Sequence, residues 1–141
     1  MTGVYIVALA LALAVGFGLY RKAVDGRVRT VRAGANHLGL DSELGATATF
    51  VQFSSVACAP CRVTARVLDE VRVSTDGVAH IEIDAEQRLD LVGELGITRT
   101  PTVLVLDADG VVRSRMVGPP RRQDVLAALA GLQTRVDSAA A

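Results

Sequence analysis

Three dense apolar runs constrain this chain most: Ala48–Phe53, Val78–Ile83 and Thr102–Leu106. They are rich in Val, Ile, Leu and Phe and too short for an ordinary helix. Such runs read as strands buried on both faces. The segments between them have a different period. Val63, Val67, Leu68 and Val71 share one face of a helix predicted over 63–73. Leu89, Leu91, Val92 and Leu95 predict a short helix closed by Gly96. Asp107-Ala108-Asp109-Gly110 is a hairpin signal, with 111–117 as the returning strand. Residues 121–136 predict a last amphipathic helix, with Val125, Leu126, Leu129, Leu132 and Val136 turned inward. Upstream, 27–32 alternates polar and apolar residues as a candidate edge strand. A short helix is expected over 38–45, starting near Asp41 or Ser42. The order predicts an α/β fold, a mixed sheet with helices on both faces.

The charge is unevenly placed. Lys+Arg and Asp+Glu are 15 each over 141 residues. That balance argues against a nucleic-acid partner, which calls for a basic excess. Residues 1–20 carry no ionisable side chain, and Gly3–Tyr20 is 18 residues without a charge. As a helix that run would reach roughly 27 Å, close to the roughly 30 Å of a bilayer core. The mean hydropathy of +0.37 agrees with one segment suited to lipid. Arg21, Lys22, Arg27, Arg29 and Arg32 follow, against Asp25 alone. Positive charge after the run and none before it predicts an uncleaved anchor with the body in the cytoplasm. The alternative is export, with the body outside.

The chemistry sits at Cys58-Ala59-Pro60-Cys61, between the first core strand and the helix that follows. A spacing of three brings two sulfurs together at a helix N-terminus. Unpaired N–H groups there stabilise a thiolate, and a thiolate is the nucleophile in disulfide exchange. Pro60 is tolerated in a first helical turn. Cys58, the outer residue, is the attacking thiol and Cys61 the resolving one. C-x-x-C also occurs in zinc sites, but those need two more ligands, and only His37 and His80 are available.

With these residues in view, the chain resembles the thioredoxin family over roughly 27–135. Phe50-Val51-Gln52-Phe53 precedes the Cys pair as the family's strand does. Cys58-Ala59-Pro60-Cys61 differs from the usual tetrapeptide by Ala59 for Gly. Ile81-Glu82-Ile83-Asp84 is similar to the next strand and its closing Asp. Gly96–Thr102 is similar to the segment carrying a cis-proline. Asp109-Gly110 matches the hairpin turn, and Val117-Gly118 the glycine beside the active site.

The resemblance implies a thioredoxin-like domain over 34–136; the charge pattern puts an anchor over 1–20 and a basic linker with the candidate edge strand over 21–33 before it, and a tail at 137–141 follows. The resemblance implies a thiol–disulfide oxidoreductase that needs no cofactor beyond its Cys58–Cys61 disulfide, and the apolar run makes it membrane-tethered. Its partners would be disulfide-containing proteins or small thiols, a reductase or other electron donor, and the membrane through residues 3–20. Pro101 would be cis, with Thr100 offering backbone groups to an extended substrate segment. Ala57 and Gly118 would complete the substrate contact, and Gln52, Pro60 and His80 would support the site. The resemblance is broken in places. The family's buried Asp is Gln52 here, which cannot take a proton, so slower resolution by Cys61 is expected. The usual Trp is Ala57, a second aromatic position is Ser54, and a Lys is replaced by His80. Glu82 and Asp84 read as solvent or edge contacts. Arg99 beside the substrate segment suits acidic substrates. Two other readings remain: an extracytoplasmic oxidoreductase for exported or cytochrome-maturation substrates, and a non-catalytic adaptor or metal-binding module.

Overall fold

Burial on both faces makes one strand the centre of the molecule. The computed structural model describes residues 5–6, 10–18, 34, 38–40 and 43–139. Strand β1 (Ala48–Ser54) is buried at every position. Helix α1 (Ala59–Val73) follows, then β2 (Val78–Asp84), α2 (Leu89–Glu94), β3 (Thr102–Asp107), β4 (Val112–Val117) and α3 (Arg122–Ala139). The sheet order is β2-β1-β3-β4. Strands β1 and β2 are parallel, with Phe50 opposite His80 and Gln52 opposite Glu82. Parallel neighbours need a long crossover, which α1 supplies. Strand β3 runs antiparallel to β1, with Val51 opposite Leu104, and β4 antiparallel to β3.

Side chains alternate across the sheet and sort into two cores. Ala48, Phe50, Val78, Val103 and Val105 face Leu68 and Val71 of α1 and Val125, Leu129 and Leu132 of α3. Val51, Phe53, Ile83, Leu104 and Leu106 face Leu38, Leu40, Leu91, Leu95 and Ile97. The central strands therefore have no solvent face, and their apolar runs are continuous for that reason. Phe50 and Phe53 are fully buried on opposite faces, each worth about 2–3 kcal/mol of apolar transfer.

Several expectations need correction. Helix α1 begins at Ala59, not Val63, because Cys58 caps it. Its buried face is Cys61, Thr64, Leu68 and Val71, at spacings of three and four. Val63 lies off that stripe and is exposed. Leu126 is likewise exposed, one step around α3 from buried Val125. The helix expected over 38–45 is absent among the described residues. Leu38 is helical, Gly39 turns left-handed at φ 69°, and 43–47 are bends and coil. Leu38 and Leu40 are both buried in one core, which i and i+2 on a helix cannot achieve. Helix α3 runs to Ala139, into the segment expected as tail.

At the N-terminus, 10–18 is helical, with Leu11, Leu13, Val15 and Phe17 exposed. Among the described residues no helix is long and apolar enough to cross a membrane. The span expected over 3–20 lies partly outside the described residues. The basic linker and the candidate strand at 27–32 lie wholly outside them. Gly34 forms an isolated antiparallel bridge with Val111.

Candidate active site

Three loops meet at the C-terminal end of β1. The first leaves β1 and delivers Cys58 in an extended conformation to the N-cap of α1, with Pro60 in the first turn. The Cys61 N–H donates to Cys58 Sγ at 3.1 Å and to the Cys58 carbonyl at 3.1 Å. The sulfur thus takes the capping place that Ser or Asp usually fills. Cys58 and Cys61 are joined as a disulfide with Cα atoms 5.2 Å apart. That separation lies in the range a disulfide spans without displacing the backbone. Cys61 is buried at 2% exposure, while Cys58 is half-buried between exposed Ala57 and Ala59. No acidic residue occupies the first turn of α1, so nothing there opposes the positive helix end.

The second loop carries Thr100 and Pro101, whose peptide bond is cis. Thr100 Oγ1 lies 3.4 Å from Ser55 Oγ, which ties this loop to the first. The third loop holds Gly118, whose N–H donates to the Pro101 carbonyl at 2.8 Å. Gly118 has φ 86°, and a Cβ built there would meet nothing within 4 Å. Its backbone conformation favours glycine, and the space above it is open. Ala57, Cys58, Thr100, Pro101 and Gly118 are thereby gathered at one end of the sheet.

Beneath the disulfide lies a polar group centred on Gln52, which is fully buried. Its Nε2 donates to Ser54 Oγ at 2.8 Å, to the Cys61 carbonyl at 3.0 Å and to Glu82 Oε1 at 3.3 Å. Two N–H protons therefore serve three acceptors. Ser54 also bonds Glu82 Oε1, while Gln52 Oε1 is buried with no hydrogen-bond partner. Sequence reasoning placed Gln52 here but missed Ser54 and Glu82 as its partners. The signal was the strand parity that pairs Gln52 with Glu82 across β1 and β2. Asp84 instead closes the turn after β2, accepting from Glu86 N at 2.8 Å and Gln87 Nε2 at 3.0 Å.

His80 lies two residues before Glu82 on the same side of β2. Burial pushes its pKa below the usual 6.5, against the charges of Glu82 and Asp69 and with that of Arg72. Its Nε2 is buried without a partner. The charged groups that act on it include Asp69 and Arg72, on the later turns of α1. Among the described residues, no group of three or more His, Cys, Asp and Glu side chains could hold a metal ion; His37 lies outside them.

The thioredoxin family profile matches residues 39–131, which include every element of the sheet and the cysteine pair. The chain belongs to the thioredoxin family. Among solved structures, thioredoxin from Nicotiana alata superposes with a TM-score of 0.57 at 23% identity, covering 69% of this chain and 85% of that one. Thioredoxin from Trypanosoma brucei brucei gives 0.57 at 17% identity, covering 77% and 92%. The oxidised form of mitochondrial thioredoxin 3 from Saccharomyces cerevisiae gives 0.53 at 18% identity, covering 60% and 78%. These likenesses show the fold. No curated protein matches by sequence. As a thioredoxin domain with its two cysteines joined, the protein is a thiol–disulfide oxidoreductase. Its redox group is the Cys58–Cys61 pair itself, and its general partners are disulfide substrates and a source of electrons.

Proposed function

We propose that the protein is a membrane-tethered reductant of protein disulfides, with Cys58 as the attacking thiol and Cys61 as the resolving one. One observation carries the assignment of roles: Cys58 Sγ sits at the N-cap of α1 facing the Cys61 N–H at 3.1 Å, while Cys61 is buried beneath it. In the reduced protein, the helix end and that N–H favour the Cys58 thiolate. The thiolate attacks one sulfur of a substrate disulfide, and the other leaves as a thiolate and takes a proton. The Cys61 thiol loses its proton and attacks Cys58 Sγ. The second substrate sulfur leaves, and the Cys58–Cys61 disulfide forms. Two electrons pass from the dithiol to the substrate. An extended substrate segment would lie along Thr100 and over Gly118, with Ala57 as a small apolar contact. Gln52 orients the first turn of α1 through the Cys61 carbonyl but cannot accept the Cys61 proton, so resolution is the slow step. Tethering is supported by the charge-free run 3–20 and the basic residues after it.

Insulin reduction tests the chemistry. Cys58→Ser abolishes it, and Cys61→Ser accumulates a mixed disulfide with substrate on Cys58. Turnover by Cys58→Ser at the wild-type rate would refute the assignment. Sidedness is read with a membrane-impermeant maleimide on intact cells. Only Cys58 and Cys61 can react, so a cytoplasmic dithiol labels after lysis alone. Labelling of intact cells would move the domain to the outer side.

A further inference from the structure

We infer that the rim of the cysteine pair selects disulfides flanked by acidic residues; the inference rests on the oxidoreductase reading above and names its substrate class. The loops joined at the disulfide are those of Ser55–Cys58, Thr100–Pro101 and Gly118, and the segments that hold them are 55–62, 99–101 and 117–121. Together they hold three arginines, Arg62, Arg99 and Arg121, all exposed, and no carboxylate of their own; the carboxylate beneath the disulfide, that of Glu82 on β2, already accepts from Gln52 and Ser54. Residues 33–141 as a whole carry ten arginines against fourteen carboxylates. A positive rim therefore stands on a domain of net negative charge.

Ion pairing sets these three apart from Arg72, Arg88 and Arg113. Arg72 pairs with Asp69, Arg88 with Asp90 and Arg113 with Asp107. No salt bridge engages Arg62, Arg99 or Arg121 among the described residues. The nearest acid in sequence, Asp124, uses its carboxylate to accept the backbone N–H of Arg121 at 3.0 Å and so caps α3. Arg66 and Arg122 are also without a salt bridge among the described residues, but they line an open groove that holds Asp69 and Glu70 as well as Val73.

The positions follow from the loops already described. Arg62 follows Cys61 in the first turn of α1. Arg99 precedes Thr100, and its carbonyl accepts from Thr102 Oγ1 at 2.7 Å. Arg121 lies three residues beyond Gly118. The apolar surface they surround is small: Val56 is 80% exposed, Val117 49%, and no aromatic ring stands on these segments. Less of the substrate contact can then come from stacking and burial, which leaves charge to discriminate. A guanidinium presents a planar fork that matches a carboxylate. Exposed pairs add little affinity, so the effect falls on encounter rate and is screened by salt.

The test uses the full chain, reduced with a dithiol and freed of it. Three synthetic peptides each carry one internal disulfide, flanked by Glu, by Lys or by Gln. The second-order rate of each reduction is divided by that peptide's rate with free dithiothreitol, which removes its intrinsic reactivity. The Glu peptide is expected to exceed the Lys peptide by about tenfold at low salt, with the ratio falling toward one at about 0.5 M salt. Replacing Arg62, Arg99 and Arg121 together by Gln collapses the ratio; should that variant fold poorly, the salt series on the unaltered chain decides alone. Equal rates for the three peptides at low salt would overturn the acidic preference and leave the oxidoreductase reading intact. Reduction of none of them, the Gln peptide included, would overturn both.

Discussion

The two ends of β1 use buried polar groups in opposite ways. At the N-terminal end, Ala48 pairs with Asp107, a carboxylate only 8% exposed. Its Oδ1 accepts from Asp109 N at 3.1 Å and Val111 N at 2.8 Å, and its Oδ2 from Arg113 Nε at 2.6 Å. Both oxygens are satisfied and the charge is paired. Arg113 is the residue passed over where the β3–β4 ladder slips between Val105 and Leu106. At the C-terminal end, three acceptors compete for the Gln52 amide protons while Gln52 Oε1 has no partner. A saturated polar group locks a turn. An unsaturated one under a reactive pair is held by its surroundings and contributes little stability of its own.

That contrast predicts unequal costs. Asp107→Ala removes three hydrogen bonds and leaves Arg113 without its anion, so it should destabilise the fold by about 2–4 kcal/mol. The activity per folded molecule should stay the same, because Asp107 lies at the far end of the sheet from Cys58. Gln52→Leu loses donors too, but it also removes the unpartnered Oε1 and fills the same space. Its cost should therefore be the smaller of the two, about 1–2 kcal/mol. Urea denaturation of both variants beside the parent chain checks the order. A larger loss at Gln52 than at Asp107 would break the comparison.

The central architecture was legible because β1 and β3 are apolar on both faces, so Ala48–Phe53 and Thr102–Leu106 could hardly be anything but strands. The clustering of the candidate site residues was legible for a different reason. Cys58, Cys61, Thr100, Pro101 and Gly118 each sit in short segments whose local chemistry is distinctive. What escaped depends on register or on a start point. Glu82 is the exposed edge carboxylate it looked like, but only the alignment of β1 against β2 shows that it also meets Gln52 and Ser54. Val63 looked inward because the stripe was counted without Cys61 and Thr64, a thiol and a hydroxyl that hydrophobic periodicity passes over. The stretch 38–45 suggested a helix, but Gly39 turns the chain and sends Leu38 and Leu40 into one core.

The smallest expected effect is one of pH, and it sharpens the reading of β2 as the polar edge. His80 is buried enough that its pKa falls below 6.5, even though Glu82 and Asp69 favour its charged form and only Arg72 opposes it among the charges nearby. A lowered pKa in the folded state means that the unfolded chain binds the proton more readily. His80 therefore favours folding fully above pH 6.5, and that contribution is lost as pH falls below 6.5 and through the lower folded value. His80→Gln keeps a polar side chain without a titrating ring. Urea midpoints taken between about pH 7.5 and pH 5 should flatten in this variant by less than one proton of slope. A parent chain that instead gains stability over that fall in pH would mean that the carboxylates of Glu82 and Asp69, not burial, govern the ring.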